Sequence, residues 1–155
     1  MQISIKKLII ALAIPLAVGG LSALLSGGMD TYETLKQPPL APPGFIFPLV
    51  WTVLYLLMGY GSYRVYDSGA PRSAKKQALT FYGIQLFLNF LWPLIFFGLQ
   101  WYWAAFAVLV LLWVFIYLTM YRFGQVDDPA ENLLIPYLLW VTFAGYLNLG
   151  VALLN

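Results

Sequence analysis

Residues 102–121 read YWAAFAVLVLLWVFIYLTMY, a run of 20 residues without a charged side chain. A helix that crosses the hydrocarbon core of a bilayer needs about 20 predominantly apolar residues. An isolated strand would leave its backbone N–H and C=O groups unpaired in lipid, so the crossing segment has to be helical. The run therefore predicts a transmembrane helix.

Four further charge-free stretches surround this run, at residues 8–26, 45–63, 78–100 and 133–154. The segments between them are short, so residues 1–155 are predicted to form one domain. The chain is 62% hydrophobic and only 9% charged, whereas a soluble domain is about 25% charged. The sequence thus predicts an all-α integral membrane protein, a bundle of five transmembrane helices.

The first apolar run follows Lys6 and Lys7, as in a signal peptide. A signal h-region has about 7–15 apolar residues, and this longer run lacks an A-x-A cleavage site, so we expect a retained helix.

The distribution of basic residues predicts the orientation. Five crossings place the N-terminus and the second and fourth loops on one side, which holds seven of the eight Lys and Arg residues; Lys36 is the exception. Since basic residues accumulate on the cytoplasmic side, we expect the N-terminus inside and the C-terminus and first loop outside. This bias, without a targeting presequence, suits a bacterial plasma membrane.

Several functions are excluded because the chain contains neither cysteine nor histidine. It cannot form a disulfide, a Cys/His zinc site or a Ser-His-Asp triad, and no histidine can ligate haem iron. We predict no metal site and no cofactor. The net charge of +2 is too small for nucleic-acid binding. The acidic residues lie in loops or at helix ends, which argues against an ion-coupled pump.

Three helices carry aromatic and amide residues at helical spacing. The sets are Trp51, Tyr55 and Met58 on the second helix; Gln85, Asn89 and Trp92 on the third; and Tyr137, Trp140, Ala144 and Asn148 on the fifth. Buried amides need partners, so these faces should point inward. They indicate either a pocket for a large planar apolar ligand or ordinary helix packing with amides as interhelical links.

The loop at residues 27–44 contains Pro38, Pro39, Pro42 and Pro43, which favour a stiff, extended path. A stiff loop of this length is more typical of a lid than of a linker. Four prolines lie within the spans and either kink their helices or shape a cavity between them: Pro15, Pro48, Pro93 and Pro136.

Four blocks, taken together, resemble the translocator protein, or tryptophan-rich sensory protein (TspO/MBR), family. They are KQPPLAPP at residues 36–43, WTVLYLLMGYGSY at 51–63, YGIQLFLNFLWPLIFFG at 82–98 and LIPYLLWVTFAGYLN at 134–148. They cover the first loop and three of the five helices, in order and at family-like spacing.

The resemblance implies a five-helix bundle, usually homodimeric, with a ligand pocket opening toward the first loop. It implies binding of protoporphyrin IX, of benzodiazepine-type drugs and, in some members, of cholesterol. The pocket residues carried over by motif are Tyr32, Pro42, Trp51, Asn89, Trp140, Ala144 and Asn148. Trp92 joins them because it shares a helix face with Asn89.

Two departures from the family pattern concern the lid and the end of the chain. Leu40 stands where many relatives carry tryptophan, and the C-terminal stretch lacks the Tyr and Arg of the cholesterol-recognition pattern. A dedicated cholesterol site is therefore doubtful. Without histidine or cysteine as axial ligands, stacking and hydrogen bonds would favour the metal-free porphyrin over haem.

The favoured function is a membrane receptor or sensor for porphyrin-like ligands that regulates tetrapyrrole or stress responses. The alternative is an enzyme that degrades protoporphyrin in light and oxygen, an activity the resemblance implies for some bacterial members, with Trp51 and Trp140 as the reactive residues. A transporter is disfavoured because no charged side chain lies within the spans.

Overall fold

A computed structural model describes residues 3–27 and 30–155, so residues 28 and 29 of the predicted lid loop lie outside the described residues. Five long helices are apolar enough to cross a membrane. They are α1 (Ile5–Leu25), α3 (Ile46–Tyr66), α4 (Arg72–Pro93), α5 (Tyr102–Val126) and α7 (Ile135–Leu154). Two short helices lie between them, α2 (Asp30–Thr34) and α6 (Asp128–Asn132). The predicted fold class, an all-α integral membrane protein with five spanning helices, is confirmed.

The helices extend beyond the charge-free stretches at their polar ends. The helix α4 begins at Arg72 and α5 continues to Val126. The charge-free stretches predicted for these two helices cover only residues 78–100 and 102–121. Long basic side chains keep their apolar stems against the helix and place the charge in the headgroup region. A helix therefore continues past the first charged residue, which a charge-based boundary misses.

The helix α5 packs between α4 and α7, and α1 packs mainly on α3. The α1–α3 crossing is close because of Gly59, where a Cβ would lie 2.8 Å from the carbonyl oxygen of Ala11. The core is mainly apolar, with Met58, Ile116 and Phe123 all at 0% exposure. Because α1 makes few contacts with helices other than α3, it lies at the edge of the bundle.

A salt bridge joins Arg64, in the last turn of α3, to Asp127, which directly follows α5. Arg64 Nε lies 2.7 Å from Asp127 Oδ2, and Arg64 Nη2 lies 3.3 Å from Oδ1. Asp127 also caps α6, because its Oδ2 accepts a hydrogen bond from the amide of Ala130 at 3.0 Å. The pair thereby ties α3 to the α5–α6 junction.

The three polar-aromatic faces point into the bundle, as predicted. Gln85, Asn89 and Asn148 are only 1–2% exposed, and Trp51 and Trp140 are half-buried. Much of the apolar surface that remains exposed lies on the long helices, as expected for segments that face lipid.

Candidate functional site

A cavity of about 310 Å³ lies between α1, α3 and the end of α4. Its aromatic walls are Phe47, Trp51, Tyr55, Trp92 and Phe97, and α1 closes it with Leu16, Gly19, Gly20 and Ala23. The cavity is therefore an aromatic slot with one wall made largely of small residues.

Of the two glycines on α1, only Gly19 is required by the position of Tyr55. A Cβ at Gly19 would overlap the Tyr55 ring, whereas a Cβ at Gly20 would meet nothing within 4 Å. Gly19 thus lets the ring of Tyr55 lie directly against the backbone of α1.

Asn89 is the amide in the cavity wall, and its side chain links three helices. The hydroxyl of Tyr55 donates to Asn89 Oδ1 at 3.0 Å, and Asn89 Nδ2 donates to the hydroxyl of Tyr137 at 2.6 Å. The Tyr137 hydroxyl in turn donates to Gln85 Oε1 at 2.7 Å. This buried chain, Tyr55–Asn89–Tyr137–Gln85, fixes the orientation of the amide at the cavity.

Two of the prolines within the spans shape the cavity. Pro48 and Pro93 both line it, and α4 changes into a π-helical segment (Leu94–Leu99) directly after Pro93. A proline cannot donate the helical hydrogen bond and displaces the preceding turn, and a π-helical turn is wider than an α-helical one. This π-helical segment carries Phe97, which lines the cavity together with Trp92.

The predicted site residues fall into two groups in this structure. Trp51, Asn89 and Trp92 line the cavity. The other predicted residues lie outside its lining: Tyr32, Pro42, Trp140, Ala144 and Asn148.

Phe47 stands between the cavity and the first loop. Its ring lies 5.0 Å from that of Tyr32 and 5.8 Å from that of Trp140, centroid to centroid. Trp140 lines a separate surface groove of about 580 Å³ between α3 and α7. Its buried Nε1 has no hydrogen-bond partner among the described residues.

Asn148 and Ala144 occupy packing positions. Trp92 Nε1 donates to Asn148 Oδ1 at 2.9 Å, and Asn148 Nδ2 donates to the carbonyl oxygen of Tyr102 at 2.9 Å. Ala144 is 4% exposed. Asn148 therefore joins α4, α5 and α7, and it holds the indole of Trp92 that faces the cavity.

The first loop is held together by hydrogen bonds between its own residues. The hydroxyl of Tyr32 donates to the carbonyl oxygen of Pro42 at 2.9 Å, and Gln37 Nε2 donates to the Tyr32 carbonyl at 2.7 Å. Burial, with a smaller contribution from the neighbouring Glu33 carboxylate, raises the pKa of Tyr32 above its usual value of 10.0. Leu40 is 85% exposed and has a positive φ of 70°, so its side chain lies away from the bundle.

The loop is also fastened to α7. The hydroxyl of Tyr146 donates to the carbonyl oxygen of Pro39 at 2.6 Å. Asn155 makes two hydrogen bonds to the backbone of Lys36, of 2.9 and 3.2 Å. A Cβ at Gly150 would lie 2.5 Å from the ring of Pro38, so only glycine admits the loop this close.

Phe47 and the α1 residues were missed by the sequence reasoning. Phe47 lies four residues before Trp51, one helical turn away, and that spacing is a signal that could have identified it. The pair Gly19–Gly20 within an apolar run is also a signal, because small residues let transmembrane helices approach closely.

The comparisons with known proteins agree in the family they indicate. The model of the TspO/MBR family matches residues 11–154. The tryptophan-rich protein TspO of Chlorobaculum tepidum is 44% identical over 124 residues, 80% of this chain and 78% of that protein.

Two further relatives match a similar share of the chain. The tryptophan-rich sensory protein of Cereibacter sphaeroides is 42% identical over 81% of this chain and 77% of its own length. The translocator protein of Bos taurus is 39% identical over 78% of this chain and 72% of its own length. With its five spanning helices and a family match over nearly its whole length, the chain belongs to the TspO/MBR family.

Proposed function

We propose that the chain is a membrane receptor for planar apolar ligands, such as protoporphyrin IX and benzodiazepine-type drugs, and that ligand binding regulates tetrapyrrole or stress responses. The observation that carries the proposal is the aromatic cavity of about 310 Å³ between α1, α3 and α4. Ligand sites are concave and mostly apolar, with few polar groups that set orientation. This cavity has that composition.

The rings in the wall supply stacking surfaces. Trp51 lies 5.6 Å from Tyr55 and 6.1 Å from Tyr137, centroid to centroid. Aromatic pairs gain about 0.5–1.5 kcal/mol beyond the area they bury. A planar ligand that lies against Trp51 would gain such a contribution from each ring it contacts.

Asn89 supplies the polar contact. An asparagine amide has two N–H donors and two acceptor positions, and the hydrogen bonds with Tyr55 and Tyr137 use one of each. One N–H and one lone pair of the amide remain for a ligand. The buried chain behind the amide keeps it oriented before the ligand arrives, which reduces the ordering cost of binding.

The size of the cavity bears on how a porphyrin would fit. Ligand pockets span about 300–1,000 Å³, and this cavity lies at the lower end. Phe47 is the residue that separates the cavity from Tyr32 and Trp140. Rotation of the Phe47 ring would join the two regions, and a large tetrapyrrole would then also contact Trp140.

The names of the relatives support a role in sensing or translocation, since they include a tryptophan-rich sensory protein and a translocator protein. Those names describe the relatives. For this chain, the receptor function is the one that the cavity favours.

Titration of the purified chain with protoporphyrin IX tests the proposal, with binding followed by tryptophan fluorescence and porphyrin absorbance. We expect Trp51→Leu to weaken binding about tenfold, since the loss of one stacked indole removes about 1–1.5 kcal/mol. Trp103→Leu is the matched control, because Trp103 is 56% exposed and does not line the cavity. Equal affinity of the two variants would contradict the proposed site.

A second candidate is light-dependent degradation of protoporphyrin, which the position of Trp51 in the cavity wall favours. Illumination of the protein with protoporphyrin IX in air should then bleach the porphyrin bands faster than in free solution. Because Trp140 lies outside the cavity lining, Trp51→Phe should slow the reaction more than Trp140→Phe. Tight binding without any protein-dependent bleaching would rule out this activity.

A further inference from the structure

A second concave surface lies at the opposite end of the bundle from the aromatic cavity. It is a groove of about 930 Å³ between the start of α1 and the α3–α4 turn. Four cationic side chains line this groove, against a single carboxylate, that of Asp67: Lys7, Arg72, Lys75 and Lys76. Four positive charges less one negative charge leave a net charge of +3 on the lining.

These charges are largely uncompensated. Lys7 Nζ lies 4.0 Å from Asp67 Oδ1, so this exposed ion pair is long and weak. Lys75 Nζ donates to the carbonyl oxygen of Tyr66 at 2.9 Å, which does not neutralise its charge. Arg72 and Lys76 are exposed and form no ion pair within the part of the chain that the structure describes.

The local backbone adds to the positive potential. The helix α4 begins at Arg72, its first turn has no acidic residue, and Pro71 before it provides no side-chain cap. The N-terminus of a helix carries a partial positive charge that acidic residues normally offset. In this helix the first turn carries cations instead, so an external anion is the complementary partner.

Apart from Ser73, the rest of the groove is mainly apolar, and it lies where the membrane spans begin. Leu79 and the ring of Tyr66, which is 56% exposed, belong to its lining. The charge-free stretches start at residue 8, next to Lys7, and at residue 78, next to Leu79. A molecule held in this groove therefore meets positive charge on one side and the hydrocarbon region on the other.

We propose that this groove binds an anionic phospholipid, with the lipid phosphate between Arg72 and Lys76 and the start of its acyl chains against Leu79 and Tyr66. A soluble anion would pair with the cationic side chains but would leave the apolar part of the groove uncovered. Basic clusters at the cytoplasmic ends of spans attract anionic lipids by about 1 kcal/mol per charge. The site is distinct from the aromatic cavity and does not depend on the function proposed for it.

Native mass spectrometry of the full chain in detergent tests the proposal, with phosphatidylglycerol titrated in parallel with phosphatidylcholine of the same acyl chains. We expect phosphatidylglycerol to bind in preference. The variant Arg72→Gln/Lys76→Gln should weaken that binding by about 10- to 30-fold, the loss expected for two interfacial charges. Lys75 is kept because it caps the carbonyl of Tyr66.

The variant Lys6→Gln/Lys36→Gln is the matched control, because it removes the same charge from two exposed residues that do not line the groove. We expect it to change the affinity less than twofold. An equal loss in both variants would show diffuse charge attraction and overturn the site. Equal binding of the two lipids would overturn it as well, and so would displacement of the lipid by millimolar inorganic phosphate, which would indicate a site for soluble anions.

Discussion

The hydroxyl of Tyr55 donates a hydrogen bond of 3.0 Å to Oδ1 of Asn89, and both residues line the cavity between α1, α3 and α4. The same amide donates from Nδ2 to the hydroxyl of Tyr137 on α7, at 2.6 Å. Asn89 is therefore both part of the cavity wall and a link between three helices. Ligand affinity and the stability of the bundle should be coupled at this residue.

Replacement of Asn89 by alanine should affect both properties. The buried hydroxyl of Tyr55 loses its acceptor, which should lower the free energy of unfolding by about 1–2 kcal/mol. Loss of the remaining N–H should weaken protoporphyrin IX binding by about 2- to 10-fold. Gln85→Ala is the comparison, because Gln85 belongs to the same buried chain but does not line the cavity. It should lower stability while weakening binding less than Asn89→Ala does, because it only helps to orient the Asn89 amide. If Asn89→Ala kept the native affinity, the amide would serve helix packing alone.

The two adjacent glycines of α1 should respond in opposite directions. A Cβ at Gly19 overlaps the ring of Tyr55, so Gly19→Ala should cost about 1–3 kcal/mol through overpacking. Gly20→Ala meets nothing within 4 Å and should be neutral or stabilising by up to about 1 kcal/mol, because alanine favours the helix. Thermal unfolding of the full chain in detergent measures both. Equal midpoints would show that Tyr55 does not hold its position against α1.

The contact between α7 and the first loop is testable at Gly150. A Cβ there lies 2.5 Å from the ring of Pro38, whereas a Cβ at Gly145 lies 4.0 Å from its nearest neighbour, Leu109. We expect Gly150→Ala to lift the loop and speed hydrogen exchange at the amide of Lys36, which donates to Asn155 Oδ1. An increase of about fivefold corresponds to about 1 kcal/mol of local stability. Exchange in Gly145→Ala should remain at the native rate; a matching increase there would contradict the specific contact.

The loop should also open at alkaline pH. The folded structure raises the pKa of Tyr32 above 10.0, the value of the exposed side chain. The closed state therefore binds the phenolic proton more tightly, so its stability is fully present below pH 10 and falls as the pH rises further. The phenolate can no longer donate to the carbonyl oxygen of Pro42.

Hydrogen exchange or limited proteolysis of the loop between pH 9 and about 11 would follow this opening. Lysines also lose charge in this range, so the comparison is with Tyr32→Phe, which cannot titrate. We expect the native loop to change more steeply with pH than the loop of the variant. Parallel curves would mean that ionisation of Tyr32 does not control the loop.

Five helices and their buried faces could be predicted because both follow from local patterns. The length of a charge-free stretch indicates whether its helix is long enough to cross the hydrocarbon core of a bilayer. The 3.6-residue period places Gln85, Asn89 and Trp92 on one side, and the cost of unpaired amides in lipid turns that side inward. The family could be predicted from four sequence blocks, because that comparison does not depend on how the helices pack.

The position of the cavity came from the tertiary structure. The sequence reasoning joined Trp51 and Asn89 with Trp140, Ala144 and Asn148, but it drew no residue from α1. In the structure, α1 closes the cavity through Gly19 and Gly20, and Phe47 separates it from Trp140. The helical period of the sequence predicts which residues point inward. It does not predict which neighbouring helix those residues contact. That partner depends on the rotation of each helix about its axis and on side-chain packing between residues far apart in the chain, here the fit of Tyr55 against Gly19.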